Sequence, residues 1–223
     1  MHWRNQAVGL LLTACSLYGA SDCRTPAEFQ EQLRSKPSAQ LYAAIGGYWA
    51  QKNELHCGIS AFEKAVQIAP RSAQMRFNLA LALLRNGSLQ PAVQEFRRAV
   101  ALQPDLLPAR NALGTALIET DDLAGAQEQF REVLRIEPSN SVALRSIARA
   151  LILDRRFALA IDYLKQSLKL EPSELGHYLA LGVAYTENAE PKNAIDILKK
   201  GSILQPRSVA VHFNLVLTCI NRR

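Results

Sequence analysis

From Ala39 onward the chain alternates short apolar stretches at helical spacing with polar breaks, and the same positions return again and again. Ile45, Leu79, Leu113, Ile147 and Leu181 are large and aliphatic, and each is followed by a small residue, Gly46, Ala80, Gly114, Ala148 or Gly182. A second small position recurs at Gly58, Ala92, Ala126, Ala160 and Ala194, with a large one a turn later at Phe62, Phe96, Phe130, Leu164 and Leu198. A compact position follows at Ala65, Ala99, Val133, Ser167 and Gly201. Every member of each set stands 34 residues after the last, and so do Pro70, Pro104, Pro138, Pro172 and Pro206. The pattern predicts pairs of antiparallel helices. The small residues let two backbones approach, and the large ones fill the hollows between them. Each proline ends a second helix, because it lacks an N–H and disfavours helix in the residue before it. Polar residues just after the prolines are the expected helix caps: Ser72, Asp105, Ser139 with Asn140, Ser173 and Ser208. "NGS" at Asn86–Ser88 and "TDD" at Thr120–Asp122 mark turns inside the pairs, so Asp121 and Asp122 read as helix-start residues and not as a catalytic pair.

These residues resemble the tetratricopeptide repeat family. The resemblance covers residues 39–208 as five units, 39–72, 73–106, 107–140, 141–174 and 175–208, with the first helix of a partial sixth at 209–223. It implies an all-α fold, an α-solenoid wound as a right-handed superhelix of antiparallel helix pairs. The chain departs from the family at the fourth position of the unit, which is often aromatic there but is Arg76, Arg110 and Leu144 here. Ser167 and Gly201 depart at the compact position and imply looser packing in the last two units.

The two ends add further expectations. Residues 21–38 form an extension and a capping helix, with Thr25 and Glu28 as a capping box and Pro26 at the first helical position. Within the implied solenoid that helix takes the place of a preceding second helix, parallel to the second helix of the first unit. Parallel helices start at the same end, so Cys23 and Cys57 are expected to form a disulfide, which loop entropy would make worth ~3–4 kcal/mol. Cys219 is expected as a buried free thiol. The last stretch, "VAVHFNLVLTCINRR", is apolar nearly all round, which predicts either a contact surface, self-association included, or a chain that continues in a longer form. Residues 1–20 read as an export signal, with Arg4 ahead of an uncharged apolar run too short to span a bilayer. In the alternative processing, residues 1–14 are a lipoprotein signal and "LTAC" makes Cys15 the lipidated N-terminus. Either route implies a periplasmic, envelope-anchored or secreted protein.

A chain of 223 residues that is 48% apolar has material for a substantial core. Its net charge of +6 is spread in patches without a run of five or six like charges, which argues against a dedicated nucleic-acid surface. His2, His56, His177 and His212 are scattered, and neither a zinc-binding spacing nor a glycine-rich nucleotide loop is present. No enzyme activity, cofactor or metal is therefore expected, and His177 and His212 read as packed or surface side chains. The resemblance instead places function on the concave face lined by the first helix of each unit. That face collects Phe77, Asn78, Leu81 and Arg85, then Asn111, Thr115 and Glu119, then Arg145, Ser146 and Arg149, then Leu179, Val183 and Glu187. Asparagines there can pair with a peptide backbone, arginines with carboxylates, and apolar residues can receive side chains. Arg145 and Arg149, one turn apart, are either part of this groove or a solvated face paired with acids such as Glu119. The family's carboxylate clamp is excluded, since only Asn78 fits its register and Ala43, Gly47, Pro108 and Ala112 stand at its other positions. The expected role is a non-enzymatic scaffold that binds a peptide or protein segment. The alternatives are an RNA-binding protein of the pentatricopeptide kind, whose period is 35, and a non-catalytic portion of a larger enzyme.

Overall fold

A computed structural model describes residues 23–220, and among these the chain forms twelve α-helices and no strand. The export segment and Cys15 lie outside the described residues. The helices are α1 (Ala27–Ser35), α2 (Ala39–Gln51), α3 (Leu55–Ile68), α4 (Ala73–Arg85), α5 (Leu89–Leu102) and α6 (Leu107–Glu119). They continue as α7 (Leu123–Ile136), α8 (Ser141–Leu153), α9 (Phe157–Leu170), α10 (Leu175–Glu187), α11 (Pro191–Leu204) and α12 (Val209–Ile220). Two compact units result, one ending at Ala69 and the other beginning at Pro70.

In the first unit α2 packs along α3, and α1 leans on α2 through Phe29 and Leu33, which meet Leu41 and Ile45. The disulfide between Cys23 and Cys57 ties the segment ahead of α1 to the first turn of α3, with the two Cα atoms 5.2 Å apart. The expected capping box does not form. Pro26 itself stands at the N-cap without a side-chain bond, and the Thr25 carbonyl accepts from Gln30 Nε2.

In the second unit α4 through α12 stack in chain order, each helix packing on its predecessor, as an all-α solenoid does. Phe96, Phe130, Leu144, Ile147, Leu151, Leu164, Leu181 and Leu198 are fully or almost fully buried between the layers. Inside each pair the small residues mark where side chains from the facing helix fill the space. A Cβ built on Gly114 would lie 2.6 Å from Phe130 Cζ, and one on Gly182 would lie 2.5 Å from Leu198 Cδ2. The first unit repeats this, with Gly46 facing the Phe62 ring at 2.8 Å. Every turn within a pair carries one left-handed residue, Asn53, Gly87, Asp121, Arg155 or Ala189, with φ between 57° and 77°. Gly87 adopts that conformation at no cost and Asn53 and Asp121 tolerate it, whereas at Arg155 and Ala189 the register of two packed helices imposes it.

The fourth position of the unit, where the chain departs from its relatives, proves to be a joint. Arg76 donates from Nε and Nη2 to the Pro70 carbonyl and from Nη1 to Glu95 at 2.8 Å. Arg110 donates from Nε to the Pro104 carbonyl and from Nη1 to Gln129, and Tyr178 reaches the Pro172 carbonyl through its hydroxyl at 2.7 Å. A guanidinium and a phenol thus serve the same role, donating to the carbonyl of the proline just past the cap of a second helix. The looser packing expected around Ser167 and Gly201 does not occur. Ser167 Oγ lies 2.9 Å from Nε2 of His177, and both residues are wholly buried. The Glu171 carbonyl can only accept, so His177 Nδ1 donates to it at 3.2 Å. Tyr178 fills the space beside Gly201.

Some caps also shift. Ser72, Asp122 and Asn140 accept from the backbone of the first turn as expected, but Leu106 and Glu174 hold the N-cap positions expected for Asp105 and Ser173. Cys219 is exposed, not buried as expected.

Gly114→Ala should destabilise the chain by ~1–3 kcal/mol, since the new methyl displaces a buried ring. Gly47→Ala, with nothing within 4 Å of the added Cβ, should stabilise it by ~0.5–1 kcal/mol. Chemical denaturation of the two variants against the parent measures both signs.

Candidate interaction surface

The thirteen residues expected to line a groove all lie in the second unit, on α4, α6, α8 and α10. On each helix they recur at three- and four-residue spacing and so share a face. The opposite faces of these helices carry Leu79, Leu113, Ile147 and Leu181 into the core, which fixes the rotation of each helix. Leu81, Arg85, Thr115, Glu119, Arg145, Arg149, Val183 and Glu187 are exposed, while Phe77, Asn78, Asn111, Ser146 and Leu179 are half-buried.

The structure joins two of the thirteen across neighbouring pairs. Arg149 Nη2 meets Glu119 Oε1 at 3.0 Å, linking α8 to α6. Arg145, one turn earlier on α8, makes no hydrogen bond or ion pair among the described residues. Thr115 turns its hydroxyl back to the Asn111 carbonyl at 2.9 Å, and Asn78 Oδ1 accepts from Gln74 at 2.9 Å. Phe77 belongs partly to the core, its ring tilted against Phe96 with centroids 6.0 Å apart. Asn111 Oδ1 is buried and has no partner. Such an orphan costs ~1–3 kcal/mol. The stripe thus offers amides, one uncommitted guanidinium, one bridging ion pair, and the apolar side chains of Leu81 and Val183. It has no paired acid and base and no nucleophile held by a base.

Two clefts open on the other side of these helices. One of about 560 Å³ is lined by Arg97, Arg110, Leu113, Leu117 and Asp122 among others, and one of about 280 Å³ by Arg131, Leu144 and Tyr163 among others. Arg110, Leu113 and Leu117 lie on the face of α6 away from Asn111, Thr115 and Glu119. Arg97 and Asp122, 3.4 Å apart, cross the first cleft.

One chemical cluster escaped the sequence reading. Cys23, His56 and Cys57 bring their sulfurs and an imidazole nitrogen within 4.8 Å of one another in the first unit. Adjacent ligands at 56 and 57, far in sequence from 23, follow no metal-binding spacing. Only the expected Cys23–Cys57 pairing hinted at it, through the histidine beside it.

A family model described as tetratricopeptide repeat matches residues 51–106 and 111–174, more than half of the chain. Among curated proteins none matches the chain in sequence. Among solved structures, MamA is similar with a TM-score of 0.72 at 18% identity, over 76% of this chain and 92% of that one. MamA from residue 41 to the end, from Desulfovibrio magneticus RS-1, gives 0.72 at 19% identity, over 77% and 97%. YrrB, a TPR protein with an unusual peptide-binding site, gives 0.73 at 16% identity, over 85% and 98%. At these identities the likeness shows the fold.

The stripe is not what holds the fold. Arg149→Ala should change stability by less than about 0.5 kcal/mol, because the Arg149–Glu119 pair is half in solvent. Ser167→Ala, which strips the buried His177 of its partner, should cost ~1–3 kcal/mol. Urea midpoints of the two variants test this contrast.

Proposed function

The chain belongs to the tetratricopeptide repeat family, and we propose that it is a non-enzymatic scaffold that holds an extended peptide or protein segment along the stripe on α4, α6, α8 and α10. The observation that carries this reading is Arg145. Its guanidinium stands exposed on a fixed helix face with no partner among the described residues, one turn from the Arg149–Glu119 bridge. An arginine so placed accepts a carboxylate through two parallel hydrogen bonds. Asn78 and Asn111 lie on the neighbouring helices, where their amides can pair with the backbone of a bound chain. Leu81 and Val183 supply apolar contact towards the two ends. The ligand this favours is a segment with an acidic residue opposite α8 and apolar residues on either side of it.

The reading includes export. A disulfide at Cys23 and Cys57 suits an oxidising compartment, and the apolar leader offers either a cleaved signal or a lipid anchor at Cys15. The apolar face of α12, where Val209, Phe213, Val216 and Ile220 are exposed, is the rival contact surface on the same unit.

The test is a photoreactive amino acid at position 149 of the full chain, irradiated in cells, with adducts identified by mass spectrometry. A discrete protein adduct that disappears with Arg145→Glu supports the stripe. An adduct indifferent to Arg145→Glu, an RNA adduct, or an adduct seen only from position 213 overturns it.

A further inference from the structure

Cys23 precedes α1 and Cys57 lies in the first turn of α3. His56 Nε2 sits 3.2 Å from Cys57 Sγ, and its Nδ1 lies 3.9 Å from Glu54 Oε2. This cluster holds a weakly seated element, since α1 buries no residue and rests on α2 only through half-buried side chains. Disulfide bonding explains the two cysteines. It does not explain an imidazole aimed at one sulfur and a carboxylate placed behind that imidazole.

We propose that, once the disulfide is reduced, Cys23, Cys57 and His56 bind a thiophilic divalent cation of the zinc class, which then keeps α1 tied to the start of α3. Two thiolates and an imidazole are the ligand set such ions prefer. In a tetrahedral zinc site the ligand atoms stand roughly 3.5–3.8 Å apart, given metal distances of about 2.3 Å to sulfur and 2.0 Å to nitrogen. His56 Nε2 and Cys57 Sγ are already close to that separation. Cys23 lies in an exposed segment ahead of α1, so its sulfur can move off Cys57 when the bond opens. Glu54 Oε2, 3.9 Å from His56 Nδ1, is within ion-pair range of the second ring nitrogen and must close in to orient a metal-bound histidine. Cys23 and His56 are exposed, which leaves the fourth position to water.

The chemistry balances. A dithiol supplies two electrons and two protons and becomes a disulfide itself, and the Cys23–Cys57 bond opens to two thiols. When the cation binds, both thiol protons pass to solvent and the two thiolates coordinate. The same side chains thus secure α1 through a covalent bond under oxidising conditions and through a metal ion under reducing ones.

The test uses the full chain with Cys15→Ser and Cys219→Ser, so that Cys23 and Cys57 are its only cysteines. One sample is kept as the disulfide. Another is reduced with a phosphine, which is then removed without oxygen. Both are titrated with Co²⁺, and the cobalt is displaced with Zn²⁺ against a chromophoric chelator. The expected result is one ion per reduced chain, with thiolate-to-cobalt absorption and tetrahedral d–d bands, and none on the disulfide form. His56→Ala should weaken binding at least ~10-fold and Glu54→Gln by ~10-fold, with the circular dichroism of their disulfide forms unchanged. Reduced chain that takes up no cobalt at about tenfold excess overturns the proposal, as does His56→Ala binding as tightly as its parent. The comparison of oxidised and reduced parent decides the matter even where a variant fails to fold.

Discussion

Each helix pair depends on one close approach, the place where a small residue on the first helix faces a large one on the second. Gly46 meets Phe62, Gly114 meets Phe130 and Gly182 meets Leu198, all closer than an added Cβ would tolerate. The ring or branched side chain occupies the volume the missing Cβ leaves, so the two helices lock at one distance and one rotation. That rotation then decides everything exposed. With Leu113 and Ile147 driven into the core, Thr115, Glu119, Arg145 and Arg149 have to face outward.

Between one pair and the next, hydrogen bonds to loop carbonyls and buried polar contacts add direction to hydrophobic packing. Arg76, Arg110 and Tyr178 each reach back to the carbonyl of the recurring proline in the loop ahead of their own helix. Leu144 cannot do so and is instead buried among the core side chains. Where the compact position becomes Ser167, His177 on the next helix supplies the matching nitrogen, and a polar pair replaces an apolar one without loss of closure. A departure that looks like a weakness in the sequence is thus matched in space by a polar partner on the next helix.

The two ends handle exposed apolar surface differently. At the start, α1 covers part of α2 and is held by sulfur chemistry more than by burial. At the other end α12 buries only Val211 and Thr218, the latter 2.9 Å from Thr186 on α10, and shows Val209, Phe213, Val216 and Ile220 to solvent.

The period of 34, the pairing of small with large positions and the proline stops were legible because helix geometry and side-chain volume act locally and repeat. They carried the all-α solenoid, the buried faces and the placement of Cys23 with Cys57. Caps were less legible: Asp105 and Ser173 look like capping residues, yet the helices start one residue later than those side chains need. The chain by itself also determined which stripe of each first helix turns away from the recurring core positions, with Phe77 the member that still touches the core. What tertiary structure decided were the partnerships: Arg149 with Glu119, Ser167 with His177, Arg76 with Pro70 and Glu95, His56 with Cys57. The contrast is between volume and angle. Volume is a property of a residue and can be read one position at a time, whereas a hydrogen bond or a shared ligand site exists only when two helices fix both partners in distance and direction.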